Sequence, residues 1–245
     1  MTGGTVHPVP TPGPGGGELL GVAATSATNA WAVGYIAGHG PLILHWKGTA
    51  WKRAPLPRSA RGRMDGVAAT SATNAWAISS RSHKGSQIWH WNGKRWSRVS
   101  FPLTPGQIDY LGGVTATSAR NAWAVGGSFS PRTVILHTVI FRWNGARWKR
   151  TPSPNPSGPL SDDLSAVSAS SPGNAWAVGT SPEGAVSLAE HWDGTSWKAA
   201  PSGCGELAGV SVLPSGHAWA VGFTGNHMPQ ILHWNGSAWQ SVPLT

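Results

Sequence analysis

The chain is poor in cysteine, in charge and in long hydrophobic runs. Cys204 is the only cysteine among 245 residues, so no disulfide can form within the chain and packing must supply its stability. No stretch approaches the roughly 18 apolar residues of a transmembrane helix, so we expect no membrane span. No segment shows the period of three to four residues that marks an amphipathic helix. With 40% hydrophobic residues, the sequence therefore predicts a β-rich domain around a packed core.

The first 17 residues lack any core-forming pattern. They read MTGGTVHPVPTPGPGGG, a Gly- and Pro-rich composition typical of a flexible leader. The segment has no apolar stretch of the kind that a signal peptide needs. A linker of this type before a repeat domain suits a secreted bacterial protein whose signal peptide is absent from this sequence. We therefore expect an extracellular or cell-envelope location.

Tryptophan, by contrast, is abundant and recurs at regular intervals. The motif NAWAVG and its variants NAWAIS and HAWAVG place a tryptophan at spacings of 45, 47, 53 and 43 residues: Trp31, Trp76, Trp123, Trp176 and Trp219. A second motif follows each of them, in the forms PLILHWKGTAW, QIWHWNGKRW, VIFRWNGARW, LAEHWDGTSW and QILHWNGSAW. Three tryptophans per unit account for 15 of the 16, and Trp89 is the exception. Five internal repeats therefore cover residues 18 to 245.

Each unit contains four short strand candidates separated by turn residues. In the first unit they read LLGVAATS, NAWAVG, LILHW and AWKRAP. Asn-Gly or Asp-Gly lies between the third and fourth candidates in four units, which predicts a two-residue type I′ hairpin. This hairpin would place Trp46 and Trp51 on one face of the sheet with Leu44, and His45 on the other face.

Five units of four antiparallel strands predict an all-β fold, a five-bladed β-propeller, because a closed ring removes exposed sheet edges. The first strand of each unit is rich in small residues, as the crowded axis of such a ring requires. We expect a monomer whose blades come from contiguous sequence, closed by packing of blade 5 on blade 1 unless the leader adds a strand. The predicted blades are residues 18–57, 62–103, 109–154, 162–202 and 205–245.

A basic or imidazole side chain precedes the first tryptophan of every hairpin. These side chains are His45, His90, Arg142, His191 and His233. Equivalent positions of different blades lie far apart, so they cannot converge on one metal ion. Each could instead form a buried hydrogen bond or contact a ligand between blades. Trp89, outside the repeat pattern, is the tryptophan that we place on a surface, and it completes the candidate ligand-binding set.

Acidic residues cluster just before the first strands. Six of the nine lie within five residues before a first-strand valine: Glu18, Asp65, Asp109, Asp162, Asp163 and Glu206. Since inner strands follow the axis, these carboxylates should gather near one mouth of the central channel. Such a cluster could provide the two carboxylates of glycoside hydrolysis, hold a cation, or only cap turns and pair with arginines. The catalytic candidates are Glu18, Asp65, Asp109, Asp163 and Glu206.

The formal charge of +9 admits a nucleic-acid or acidic-glycan partner. Eleven of the 18 basic residues, however, fall in the hairpin turns and fourth strands. In a propeller they form a dispersed outer belt rather than a groove lined with aromatic rings. This distribution argues against nucleic acid as the partner.

The repeat resembles a known family. Residues 164–203, LSAVSASSPGNAWAVGTSPEGAVSLAEHWDGTSWKAAPSG, are similar to the units of Trp-rich bacterial propeller lectins, including fucose-binding ones, and the five-unit count is similar to that of tachylectin-type lectins. The resemblance implies monosaccharide pockets between adjacent blades, up to five of them acting together. The third unit departs from the pattern in its longer loop and in Arg142.

Three functions follow as hypotheses. The first is a carbohydrate-binding propeller with inter-blade pockets and no cofactor, whose ligand is a glycan or another small polar molecule. The second is a hydrolase or lyase acting on a glycan or small polar substrate through the axial carboxylates. The third is a scaffold for protein partners.

Overall fold

A computed structural model describes residues 16–81, 85–133, 135–156, 161–181 and 187–244. Over these residues the protein contains only strands and turns, and no helix that could cross a membrane is present. Nearly all of the predicted leader, residues 1–15, lies outside the described residues.

Twenty strands form five antiparallel sheets of four strands each. The first two sheets contain β1 (Gly17–Ser26), β2 (Asn29–Ile36), β3 (Gly40–Trp46), β4 (Trp51–Arg53), β5 (Arg63–Ser71), β6 (Asn74–Arg81), β7 (Gly85–Trp91) and β8 (Trp96–Val99). The third and fourth contain β9 (Ile108–Ser118), β10 (Asn121–Phe129), β11 (Leu136–Trp143), β12 (Trp148–Thr151), β13 (Asp163–Ser171), β14 (Asn174–Thr180), β15 (Ser187–Trp192) and β16 (Trp197–Ala199). The fifth contains β17 (Glu206–Val212), β18 (Ala218–Phe223), β19 (Pro229–Trp234) and β20 (Trp239–Val242).

Within every sheet the strands follow one another in chain order. Each sheet is therefore one blade of contiguous sequence, and the first strands β1, β5, β9, β13 and β17 are the inner ones. The first strands of successive blades pack side by side from blade 1 to blade 5. The protein is a five-bladed β-propeller, as the repeat pattern predicts.

The hairpin between the third and fourth strands differs from the predicted turn. Trp46 pairs directly with Trp51, so the loop has four residues rather than two. In blade 2 the side-chain oxygen of Asn92 accepts hydrogen bonds from the N–H groups of Lys94 and Arg95, both at 3.0 Å. Gly93 has a φ of 89°, whereas Asn92 is not in the left-handed region that a type I′ turn requires. Asparagine therefore acts through its side chain, while both tryptophans still share one face.

One contact is repeated at the four interfaces from blade 1 to blade 5. The tryptophan of the second strand enters between the two hairpin tryptophans of the next blade, at centroid distances of 4.7 to 5.2 Å. The inserted rings are fully buried in each case: Trp31, Trp76, Trp123 and Trp176. We call this contact the tryptophan lock. Each lock lies in a hydrophobic cluster shared by two adjacent blades.

Blade 5 and blade 1 do not repeat this arrangement in the part of the chain that the structure describes. Trp219, the fifth tryptophan of the series, is 40% exposed, and its ring contacts His233 of its own blade. Blade 1 keeps a small cluster of its own around Leu44 and Trp51. The predicted closure of blade 5 on blade 1 is therefore not made through the contact that joins the other blades.

Candidate functional site

His45 is held in place by the first residue of the neighbouring strand. Because Trp31 pairs with His45 across β2 and β3, the two rings lie on the same face and stack at 3.8 Å. The imidazole Nε2 donates a hydrogen bond to Asn29 Oδ1 at 2.8 Å, and Asn29 Nδ2 donates to Thr25 Oγ1 at 2.6 Å. His45 thus faces blade 2, opposite to the hairpin tryptophans, as the strand alternation predicts.

The same histidine–asparagine pair recurs in blades 2 and 4. His90 bonds Asn74 at 2.9 Å, and His191 bonds Asn174 at 2.8 Å. In blade 5 a histidine replaces the asparagine, and His233 Nε2 lies 3.2 Å from His217 Nδ1. Burial lowers the pKa of His45, His90 and His191. All four histidines of the column therefore already have a partner inside their own blade, and the residue that begins the NAWAVG or HAWAVG motif is the signal that identifies it.

Arg142 performs the same task in blade 3 and also joins two blades. Its Nε donates to Asn121 Oδ1 at 3.1 Å, and its Nη2 donates to the carbonyl of Pro172 in blade 4 at 3.0 Å. The guanidinium lies over the rings of Trp123 and Trp192, at 4.8 and 5.1 Å from their centroids. Burial lowers the pKa of this arginine.

Trp89 is not a surface residue, and this expectation was wrong. Its side chain is fully buried in the cluster between blades 1 and 2, and its Nε1 donates to Ser79 Oγ at 3.1 Å. Strand alternation places Trp89 on the same face of β7 as Trp91, which is turned towards blade 1. The ring fills a position where other blades carry leucine, phenylalanine or glutamate.

A cavity of about 710 Å³ opens between blades 1 and 2. Its walls carry Thr25, Asn29, His45, Thr70 and Trp91, together with further hydroxyl side chains. The hairpin turn of blade 1 adds the exposed Lys47. The cavity therefore combines one aromatic ring with many hydrogen-bonding groups, a lining suited to a polyhydroxy ligand.

A second cavity, of about 750 Å³, lies where the inner strands begin. Four blades contribute to it, through Leu20, Asp65, Tyr110 and Asp163 among others. Burial raises the pKa of Asp163 to about 6; a hydrogen bond from the Leu164 N–H opposes this rise, and the Glu206 carboxylate adds to it. Part of the predicted acidic cluster thus does gather at the axial mouth.

In this cavity the Asp65 carboxylate is paired with Arg63, whose Nε lies 2.6 Å from Asp65 Oδ1. Across the described residues, no group of three or more histidine, cysteine, aspartate or glutamate side chains is arranged to hold a metal ion.

The other predicted carboxylates lie elsewhere. Asp109 is buried and accepts hydrogen bonds from the N–H and hydroxyl of Thr104, at 2.9 and 2.8 Å, so it closes a loop. Asp162 is also buried, close to Glu190. Glu18 is exposed and does not line the axial cavity. A position just before an inner strand in the sequence therefore does not by itself place a carboxylate at the axial mouth; among the predicted residues it does so for Asp65 and Asp163.

Glu190 is a buried carboxyl that the sequence pattern does not single out. It takes a position in β15 where the other blades carry large apolar side chains, and it is fully buried. Ser153 of blade 3 donates to its two oxygens at 2.9 and 3.1 Å. Burial raises the pKa of Glu190 to about 7; the Ser153 hydrogen bond opposes the rise and the Asp162 carboxylate adds to it.

A third cavity, of about 470 Å³, is lined by arginines. Arg53, Arg58 and Arg61 surround an apolar floor of alanine, leucine and proline side chains. Arg61 is oriented by hydrogen bonds to the carbonyls of Arg58 and Ala60. Among the described residues, no acidic side chain lines the cavity and none of the three arginines forms an ion pair. The arrangement can hold an anionic group.

The comparisons with known proteins show the fold. No protein-family model and no curated protein match the chain. Among solved structures, it is similar to YCF48 bound to D1 peptide, with 16% identity over 95% of this chain and 71% of that one and a TM-score of 0.57. It is also similar to the six-bladed fucose-recognising lectin of Aleuria aurantia, with 12% identity over 93% of this chain and 78% of the lectin chain and a TM-score of 0.61.

A third similar structure is the GH74 xyloglucanase of Xanthomonas campestris. The identity is 15% over 91% of this chain and 38% of the enzyme, with a TM-score of 0.60. These similarities place the chain among β-propellers, and at such identities they carry no function across.

Proposed function

We propose that this propeller is a non-catalytic carbohydrate-binding protein whose main site is the cavity between blades 1 and 2. The observation that carries the proposal is the lining of this cavity, in which Trp91 stands beside a dense set of hydroxyl, amide and imidazole groups. Sugars bind proteins through an aromatic ring against their apolar face and hydrogen bonds to their hydroxyls. The cavity lies between blades, as the resemblance to propeller lectins implies, and one structure similar in fold is a lectin.

The roles of the lining residues follow from their contacts. His45 and Asn29 are already bonded to each other, so they form a rigid wall rather than a mobile contact. Lys47 and Thr28 are exposed at the rim and supply donors that a ligand can use. Since the loops of the units differ, we expect this cavity to bind more strongly than its equivalents in other blades.

The test is a glycan array followed by calorimetry with the sugars that bind. We expect binding that Lys47→Ala combined with Thr28→Val weakens about 30-fold, because each of the two substitutions removes a hydrogen bond worth about 1 kcal/mol. Lys94→Ala is the matched control, since Lys94 lies in the equivalent turn of blade 2 but outside this cavity. Absence of binding to any sugar at millimolar concentration by the folded protein would refute the proposal.

A hydrolase at the axial mouth is the second candidate, and one observation favours it. Asp163 and Asp65 line the same cavity in different environments, since burial raises the pKa of Asp163 to about 6 while Arg63 pairs with Asp65. Glycosidases need one carboxyl that donates a proton and one that stays ionised. Asp163→Asn should then abolish turnover of a glycan substrate while the melting temperature stays within about 2 °C. Glu18→Gln is the control, and turnover by the Asp163 variant would exclude this candidate.

A further inference from the structure

One face of blade 5, the face that carries the second-strand tryptophan, is exposed, whereas the equivalent face of every other blade is buried against the next blade. Trp219 is 40% exposed, whereas the four equivalent tryptophans are at 0%. Val221 is 48% exposed, whereas Val33, Ile78 and Val125 are at 0%. Phe223, at the end of the same strand, is 47% exposed. The residue types are those of a buried interface, so within the described part of the chain this face lacks a partner rather than the ability to bind one.

Blade 1 shows the complementary defect on its inner strand. Leu19 is 47% exposed, whereas its equivalents Met64, Leu164 and Leu207 are at 0%. Val22 is 71% exposed, although the equivalent valines of blades 2 and 4 are at 9%. In blades 2 to 5 these positions pack against the preceding blade. Blade 1 therefore presents a face that a preceding blade would cover.

The repeat defines what fits such a pair of faces. At each of the four interfaces from blade 1–blade 2 to blade 4–blade 5, the preceding blade provides a second-strand tryptophan. The following blade provides two hairpin tryptophans and an inner-strand leucine or methionine. Blade 5 offers the first half of this contact, and blade 1 offers the second half. Among the described residues, Trp46 and Trp51 contact each other but not Trp219.

We propose that the seam between blades 5 and 1 is a docking surface for a further blade of the same repeat type. This partner presents a hairpin of the Trp-Asn-Gly-x-x-Trp kind to Trp219 and a tryptophan-bearing second strand to Leu19 and Val22. Blade 5 and blade 1 each present one of the two complementary open faces, as insertion of a blade between them requires. A six-bladed ring of this general fold exists among the similar structures.

The experiment appends a sixth unit, a copy of residues 162–202, after Thr245. Val221→Cys in a Cys204→Ser background reports on the seam, because Val221 is exposed and Cys204 is the only native thiol. We expect the new thiol to react rapidly with a maleimide in the original chain. In the six-unit protein its reaction should be at least tenfold slower. Ser241→Cys, on the exposed outer strand of blade 5, should react at the same rate in both proteins.

A matched protein separates docking from mere proximity. In it the appended unit carries alanine in place of both hairpin tryptophans, and the thiol should react as fast as in the original chain. Slow reaction in the original chain as a monomer would mean that blades 5 and 1 close on each other, and would overturn the proposal. Slow reaction that accompanies dimerisation would instead assign the seam to a second copy. Equal rates with and without the sixth unit would also overturn the proposal.

Discussion

Asn29 Oδ1 lies 2.8 Å from His45 Nε2, and this bond joins the start of the second strand to the end of the third. It recurs between Asn74 and His90 at 2.9 Å. The bond gives a structural reason for the histidine that recurs beside the hairpin tryptophans. The column of imidazoles is chiefly a set of structural contacts, and His45 also lines the cavity between blades 1 and 2.

Asn74→Ala should destabilise the protein by about 1–3 kcal/mol, because it leaves the half-buried imidazole of His90 without its acceptor. Urea unfolding followed by circular dichroism measures the loss. Gln240→Ala, on an exposed outer strand, is the control and should change stability by less than about 0.5 kcal/mol. Equal losses in the two variants would contradict the structural role of the pair.

Glu190→Gln should change how stability depends on pH. The pKa of Glu190 is about 7 in the folded protein against an ordinary value of 4.5, so the folded state holds the proton more tightly. The contribution of this group to the free energy of unfolding is fully present below pH 4.5 and is lost as the pH rises through 7.

The unaltered protein should lose roughly 3 kcal/mol of its free energy of unfolding between pH 4.5 and 8 through this group. The glutamine variant keeps an acceptor for Ser153 but cannot ionise, so it should not show this loss. Denaturant unfolding at the two pH values measures the difference. The exposed Glu18→Gln should behave as the unaltered protein does. The same pH dependence in Glu190→Gln and the unaltered protein would show that this carboxyl does not titrate as described.

Trp123→Ala should lower the free energy of unfolding by about 3–5 kcal/mol, because it leaves a cavity where a fully buried ring packs between Trp192 and Trp197. Trp219→Ala removes the same residue type from an exposed face and should cost about 1 kcal/mol or less. Melting temperatures and urea midpoints compare the two variants directly. A loss at Trp219 as large as that at Trp123 would mean that the seam is filled in solution.

Arg142→His should be tolerated better than Arg142→Ala. Histidine bonds the asparagine at the equivalent position of three other blades, so it should restore the bond to Asn121. The alanine variant also loses the contacts with Pro172 and the two rings, with an expected cost of about 2 kcal/mol. Thermal unfolding of the two variants ranks them, and an equal loss would show that the asparagine contact contributes little.

Repeat spacing and residue pattern predicted the strand order, the number of blades and the face that the two hairpin tryptophans share. They failed at the hairpin turn and at Trp89. Asn-Gly suggested a two-residue turn. Asn92 instead stabilises a four-residue loop, because its side-chain oxygen accepts hydrogen bonds from two backbone N–H groups of that loop. Trp89 looked like a surface ring because it breaks the repeat, yet burial follows from strand alternation and not from recurrence.

The amino-acid sequence determined the blade, because alternation, turn residues and small inner-strand side chains are local requirements that every unit must meet. The tertiary structure alone decided how the blades use these parts. It showed that Asp65 and Asp163 share a cavity while Asp109 is buried in a loop contact, since distances around an axis depend on the twist of whole sheets. It also showed that Trp219 lacks the lock of its four equivalents, because identical motifs are buried only where a neighbouring blade covers them.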